Sequence, residues 1–196
     1  MDSEVPPQFV SSDTGQNSVM RSDRSREFEV FWRGLPKDGL VPHRRDVKPG
    51  RAASLLRDIV MLEARLGDTP SLRVRLIGSS LQERIQSNIT GLDYLDFRPP
   101  EYRAATMEAV RLMSSLPCGV WQVMAMHYKR GFAQYFELTA FPLLGDDSNV
   151  PIVFGLMNPT GGLVRAAPVG GNPIMTDTAT TYDYIDIGAG KPSRSG

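Results

Sequence analysis

CGVWQVMAMHYKRGFAQYFELTAFPLLGDDSNVPIVFGLMN, Cys118–Asn158, is the stretch that decides the fold. It reads as three strands, about 118–129, 133–144 and 150–158. A tight Lys129-Arg130-Gly131 turn joins the first two, and Gly145-Asp146-Asp147-Ser148-Asn149 joins the next pair. Links this short require antiparallel neighbours. Alternation then sorts the side chains onto two faces. The face taken as inner carries Gln122, Met124 and Met126, then Phe136, Leu138 and Ala140, then Val153, Gly155 and Met157. The outer face carries Trp121, Val123 and Ala125 with Tyr135, Thr139 and Phe141.

Upstream, RDIVMLEARL and SLRVRLIG are two more strand-like runs, separated by the turn signal GDTP. The second run places Leu72, Val74 and Leu76 on one face and Arg73 and Arg75 on the other, a half-buried antiparallel strand. Ser80 to Glu83 has the spacing of a capping box and opens a short helix that buries Leu81 and Ile85. Gly91 marks a turn. Pro99-Pro100 opens a longer helix with the stripe Tyr102, Ala105, Thr106, Ala109, Leu112, Met113 and Leu116, and Pro117 stops it.

Nearer the N-terminus, Phe28, Phe31, Trp32 and Leu35 recur at helical spacing and form one apolar stripe. Gly34, Pro36 and Gly39 end that helix, and PGRAASLL, with Pro49 in its first turn, reads as a short one. Residues 1–22 are polar and read as a disordered arm. From 159 onward seven Gly and four Pro in 38 residues predict a flexible tail, in which only TYDYIDIG has the pattern of an ordered piece docking on the sheet edge. The expected organisation is an arm (1–22), one domain (23–158) and a tail (159–196). The expected fold class is α+β: a five-stranded antiparallel sheet with helices on one face, plus an N-terminal amphipathic helix.

Composition narrows function by exclusion. Lys+Arg and Asp+Glu are both 22, so the chain lacks the basic excess expected of a nucleic-acid binder. Ten basic and five acidic residues between Arg21 and Arg57 make one locally positive stretch, read as a solvated helix and loop or as a patch for an acidic partner. One cysteine allows no intrachain disulfide and fits a reducing compartment. No secretory signal pattern and no apolar run of membrane-spanning length is present, so the expected location is the cytoplasm.

Several stretches together resemble a PAS-like family widespread in alphaproteobacteria. They are the tryptophan-bearing helix FEVFWRGL (Phe28–Leu35) and the loop PHRRDVKP, with Pro42, Arg44, Asp46 and Pro49. The strand IVMLEA, the strand RVRLIGS (Arg73–Ser79) and the Ile89-Thr90-Gly91 turn follow. YFELTAFPLL, FGLMNP and the late YIDIGAGKP complete the set. One departure stands out: where the family has a Gly-Arg pair before the Thr-Gly turn, this chain has Gln86-Ser87-Asn88. The resemblance implies the PAS fold and a sensing or regulatory role, in some members linked to motility and cell-cycle signalling.

A PAS core implies a ligand held between the inner sheet face and the helices. The expected ligand-binding set is therefore Val74, Leu76, Tyr102, Thr106, Met113, Gln122, Met124, Met126, Phe136, Leu138, Val153, Gly155 and Met157. A Met-rich wall adapts to varied apolar ligands, and the alternative is a filled core in a scaffold domain. The apolar outer face needs a cover, supplied either by the amphipathic helix folding back or by a second subunit. On the second option Phe28, Phe31, Trp32, Leu35, Trp121, Tyr135 and Phe141 form a homodimer interface.

No catalytic residue, metal or cofactor is expected. The two histidines, His43 and His127, lie apart and do not make a metal cluster. The longer helix lacks the histidine of haem-type PAS domains, and Cys118 sits outside the Asn-Cys-Arg motif of flavin-type ones and reads as structural. Gly188-Ala-Gly190-Lys191-Pro-Ser193 fails as a phosphate loop: Ile185 stands where the first glycine belongs, and Pro192 follows the lysine. Asp93 and Asp96 read as solvated. The expectation is a non-enzymatic sensory module acting through a second copy, a separate signalling protein or an unidentified small ligand. A scaffold domain and a small isomerase- or hydratase-like enzyme on a similar cup are the alternatives.

Overall fold

The computed structural model of the chain describes residues 20–48, 50, 53–146, 150–170 and 173–192. Most of the expected N-terminal arm (1–19), Pro49 with most of the short-helix segment's start, and Ser193 lie outside the described residues.

The three strands that decide the fold are β3 (Cys118–Tyr128), β4 (Phe132–Leu144) and β5 (Pro151–Pro159). They pair antiparallel in sequence, Val120 opposite Ala140 and Ala140 opposite Gly155. Gly131 takes a left-handed φ of 75° in the β3–β4 turn, which a side chain would strain. Strands β1 (Ile59–Arg65) and β2 (Ser71–Ile77) form an antiparallel hairpin. β5 returns to pair with β1, so the sheet runs β2-β1-β5-β4-β3.

The sheet is wider than the five strands expected. A short β6 (Val164–Arg165) pairs with β4, and β7 (Ile174–Asp186) runs antiparallel along β3. The segment expected to be a flexible tail thus supplies a thirteen-residue strand that contains most of TYDYIDIG. The physical reason is the exposed hydrogen-bonding edge that β3 would otherwise present.

Helices lie on both sides. α2 (Ser79–Ile85) and α3 (Pro100–Ser115) are on the inner side, and α1 (Asp23–Arg33) is on the outer. Two local features differ from the sequence pattern. The cap of α2 is Gly78, not Ser80, and no side chain bonds there. A Cβ on Gly78 would lie 2.4 Å from the Arg57 carbonyl oxygen, so the backbones approach too closely for any side chain. In α3 the buried positions are Met107, Val110 and Met113, while Ala105 faces out. The stripe is rotated because the helix packs with its methionines, rather than its alanines, against the sheet. The segment before β1 ends in a 3-10 turn, Leu56–Asp58.

Alternation in the central strands feeds two separate cores. Val60, Leu62, Val120, Met124, Phe136, Ala140 and Met157 join Met107 and Met113 in the inner core. Ile59, Met61, Trp121, Phe141, Phe154 and Leu156 join Phe28, Trp32 and Leu35 in the outer core. Burial of apolar side chains on both faces gives the sheet no solvated centre.

Candidate functional site

The expected ligand-binding residues divide by position. Val74, Met113, Met124, Met126, Phe136, Val153 and Met157 are buried in one close-packed cluster, with Leu138 partly buried against it. Gly155 does admit a close approach, but by the chain's own side chains: a Cβ there would lie 3.1 Å from Val60 Cγ1 and 3.2 Å from Leu138 Cδ1. Gln122 is half-buried. Leu76 does not join the set. The β1–β2 register jumps between Met61 and Leu62, with Met61 opposite Leu76 but Leu62 opposite Val74, so Arg75 is an extra residue on β2. The bulge turns Leu76 outward, where it is 39% exposed.

Tyr102 and Thr106 gather around Arg98, a buried residue that was not singled out from the sequence. Arg98 donates from Nε to Thr106 Oγ1 at 3.3 Å and from Nη1 to the Met175 carbonyl at 2.9 Å. Its guanidinium lies 5.2 Å from the Tyr102 ring centre. Arg98 therefore ties α3 to the start of β7. Asp93, read as solvated, is the N-cap of the 3-10 turn Tyr94–Phe97, and its Oδ1 accepts from the Leu72 and Leu95 amides.

On the outer face the cover comes from within the chain. Phe28, Trp32, Leu35, Trp121 and Phe141 are buried in a single copy, so α1 folds back on its own sheet. Trp32 stacks on Phe141 with ring centres 4.8 Å apart, and its indole N–H donates to the Pro142 carbonyl at 3.0 Å. Phe31 meets Phe154 edge-on and Tyr135 is half-buried. On the outward side of α1, Val30 is 71% exposed.

Beneath the start of α1 lies a buried carboxylate, Glu137, 2% exposed. Its Oε1 accepts from the Trp121 indole at 2.6 Å and from the Ser22 amide at 2.9 Å, and its Oε2 accepts from the Ser22 hydroxyl. Ser22 is also the N-cap of α1, accepting from the Ser25 amide. Ser25 Oγ in turn lies 2.6 Å from Thr139 Oγ1. A charge buried this deeply is tolerated only when its lone pairs are occupied. The N-terminus of α1 supplies the donors. Ser22 and Arg21, which pairs with Glu29 at 2.6 Å, thus belong to the fold and not to a disordered arm.

A cleft of about 670 Å³ opens between α2 and the β3–β4 turn. Arg84, Tyr128, Lys129, Arg130 and Gln134 line it with the apolar Ile85, Phe132 and Leu163. None of the expected ligand residues is among them. Arg84 donates from Nη1 to Gln134 Oε1 at 2.9 Å, and Gln134 donates to the Gly161 carbonyl at 2.8 Å. Burial pushes the Tyr128 phenol up, against the opposing pull of the Arg84 cation.

Cys118 is buried, and burial together with the nearby Asp186 charge pushes its thiol up to about 11. Gly188 and Gly190 close a turn on Asp186, whose Oδ1 accepts both amides, at 2.7 and 3.0 Å, in place of any phosphate. Among the described residues no cluster of metal-ligating side chains occurs, and no helix is long and apolar enough to cross a membrane.

No curated protein matches the chain. Among solved structures, an RNA-binding Light-Oxygen-Voltage receptor is similar, at 16% identity and a TM-score of 0.41. The match covers 63% of this chain and 35% of the receptor's. A family model described as PAS domain matches residues 20–158, most of the described sheet with all three helices. The chain belongs to the PAS domain family.

Proposed function

We propose that this PAS domain is a non-enzymatic cytoplasmic sensory module whose output is the position of α1. The observation that carries this reading is the division of labour along β4. Phe136, Leu138 and Ala140 face the inner core, while Glu137, Thr139 and Phe141 hold α1 on the outer side. A shift of the strand caused by a small ligand or partner on the inner side or at the cleft is felt by the outer row within one residue. α1 is held by the buried Phe28, Trp32 and Leu35 and by polar contacts at Ser22, Ser25 and Trp32, so a ligand or partner moves it only as far as it binds the undocked arrangement better than the docked one. Undocking uncovers Trp121, Phe141 and Phe154, an apolar face suited to a second copy of the chain or to a separate signalling protein.

The test is the oligomeric state by light scattering of the intact chain beside Glu137→Ala. The reading expects the substitution to raise the dimer fraction at equal concentration, because it loosens the cover. Equal fractions in both proteins contradict release of α1 as the route to self-association.

A further inference from the structure

The cleft at the β3–β4 turn carries three cations, Arg84, Lys129 and Arg130, against one carboxylate, Glu83. Among the described residues no carboxylate lies within ion-pair distance of those three, while Glu83 faces Arg57 at 3.8 Å. Arg84 is held in place from two sides. Gln134 accepts from Nη1, and the guanidinium lies 5.9 Å from the Phe136 ring centre. Its Nε, however, is buried with no hydrogen-bond partner among the described residues. A buried donor left unmade is costly, and the missing partner is an acceptor. The rest of the lining is mixed: Tyr128, Phe132 and Leu163 offer an apolar wall beside the charges. Phe132 and Leu163 are also exposed, 38% and 61%, so their apolar surface is accessible from the cleft.

We infer that this cleft binds a small organic oxyanion. Its carboxylate or phosphate is held by Arg84 with help from Lys129 and Arg130, and its apolar body rests on Tyr128, Phe132 and Leu163. The planar fork of arginine suits either oxyanion, and the volume is in the range of small-molecule sites. Gln134 is a positioning residue: it orients Arg84 and is itself anchored on Gly161. The site lies outside the inner core. Its occupation bears on the β3–β4 turn and so on the strand that carries Glu137. The inference deepens the sensory reading by naming a ligand class and its place, and it rests on that reading only for its consequence, not for binding itself.

The experiment is calorimetric titration of the intact chain with 1-naphthyl phosphate and with 1-naphthoate, which share a body and differ in the anion. The neutral 1-naphthalenemethanol serves as comparison. The expected result is saturable binding of at least one anion at one per chain, with the neutral compound about tenfold weaker or more, as befits a charge-assisted contact. Binding of one anion alone assigns the ligand as phosphorylated or as a carboxylic acid, and binding of both assigns the oxyanion as such. Arg84→Gln should weaken binding by about tenfold or more. Because Arg84 is partly buried, the double variant Lys129→Ala, Arg130→Ala, at exposed turn positions, provides a second arm that leaves packing intact. It should weaken binding several-fold and flatten the salt dependence. Failure of both anions to bind, or unchanged affinity in both variants, overturns the cleft assignment. If the cleft fails while Glu137→Ala still promotes dimers, the release of α1 stands without it.

Discussion

The Trp121 indole N–H donates to Glu137 Oε1 at 2.6 Å, and both residues are buried beneath the start of α1. A carboxylate in that position has one arrangement that satisfies it. The arrangement requires Ser22, more than a hundred residues away in sequence, to stand at the N-cap of a docked helix.

Glu137→Ala should therefore destabilise the chain by roughly 1.5–3 kcal/mol, the range for hydrogen bonds to a charged group. The substitution leaves the Trp121 and Ser22 donors without their acceptor. Denaturant unfolding followed by tryptophan fluorescence checks this directly, because both tryptophans, Trp32 and Trp121, report on the outer core. Glu137→Gln keeps an acceptor oxygen and should lose less.

Gly119 is a packing position. A Cβ there would lie 2.5 Å from Phe141 Cε1 and 3.1 Å from Ile185 Cβ. Phe141 is fixed by its stack on Trp32, so Gly119→Ala forces the ring and α1 to shift. A cost of about 1–3 kcal/mol follows from overpacking a filled core, read as a lowered Tm.

Gln86 stands in the left-handed region, φ 56°, at the C-cap of α2, a position where glycine carries no side-chain penalty. Gln86→Gly should stabilise the chain by up to about 1 kcal/mol, the usual penalty for a side chain in that conformation. An unchanged or lowered denaturation midpoint would contradict this account of the cap.

His127 lies on β3 with Nε2 3.1 Å from Thr176 Oγ1 on β7, and burial lowers its pKa below the ordinary value of 6.5. A depressed histidine pKa means that the unfolded chain binds the proton more readily. The neutral form's contribution is therefore complete above the unfolded pKa and is lost as pH falls below it, toward the folded pKa. Wild type should lose more stability than His127→Gln between pH 7 and pH 5, measured as the difference in denaturation midpoints.

Cys118 is buried with its thiol pushed up to about 11, so almost none of it is thiolate at pH 8. Reaction with a disulfide reagent should be slow in the native chain and become rapid in denaturant. A fast native reaction would place the β3 start in solvent.

The strands of the sheet were legible because alternation and short turns leave little choice of pairing, and β3, β4 and β5 fall within a few residues of their expected limits. The bulge at Arg75 was not, since Leu76 continues the written alternation and only the register against β1 reveals the extra residue. β7 was hidden by the glycines and prolines on either side of it, whose composition outweighed its own strand pattern. Glu137 stood in view inside YFEL, on a row otherwise read as an apolar outer face. Its donors, Trp121 and Ser22, come from a different strand and from the segment read as an arm. The cleft unites Arg84 with Gln134, fifty positions apart, a juxtaposition that no local pattern encodes.

Native-state hydrogen exchange, resolved by residue, addresses the movement of α1 most directly. Amides of α1 should open at a lower free energy than those of β4, and Glu137→Ala should accelerate α1 while leaving β1 exchanging only with global unfolding. If α1 and β4 exchange together in both proteins, the helix does not leave the sheet on its own and cannot be the output of this domain.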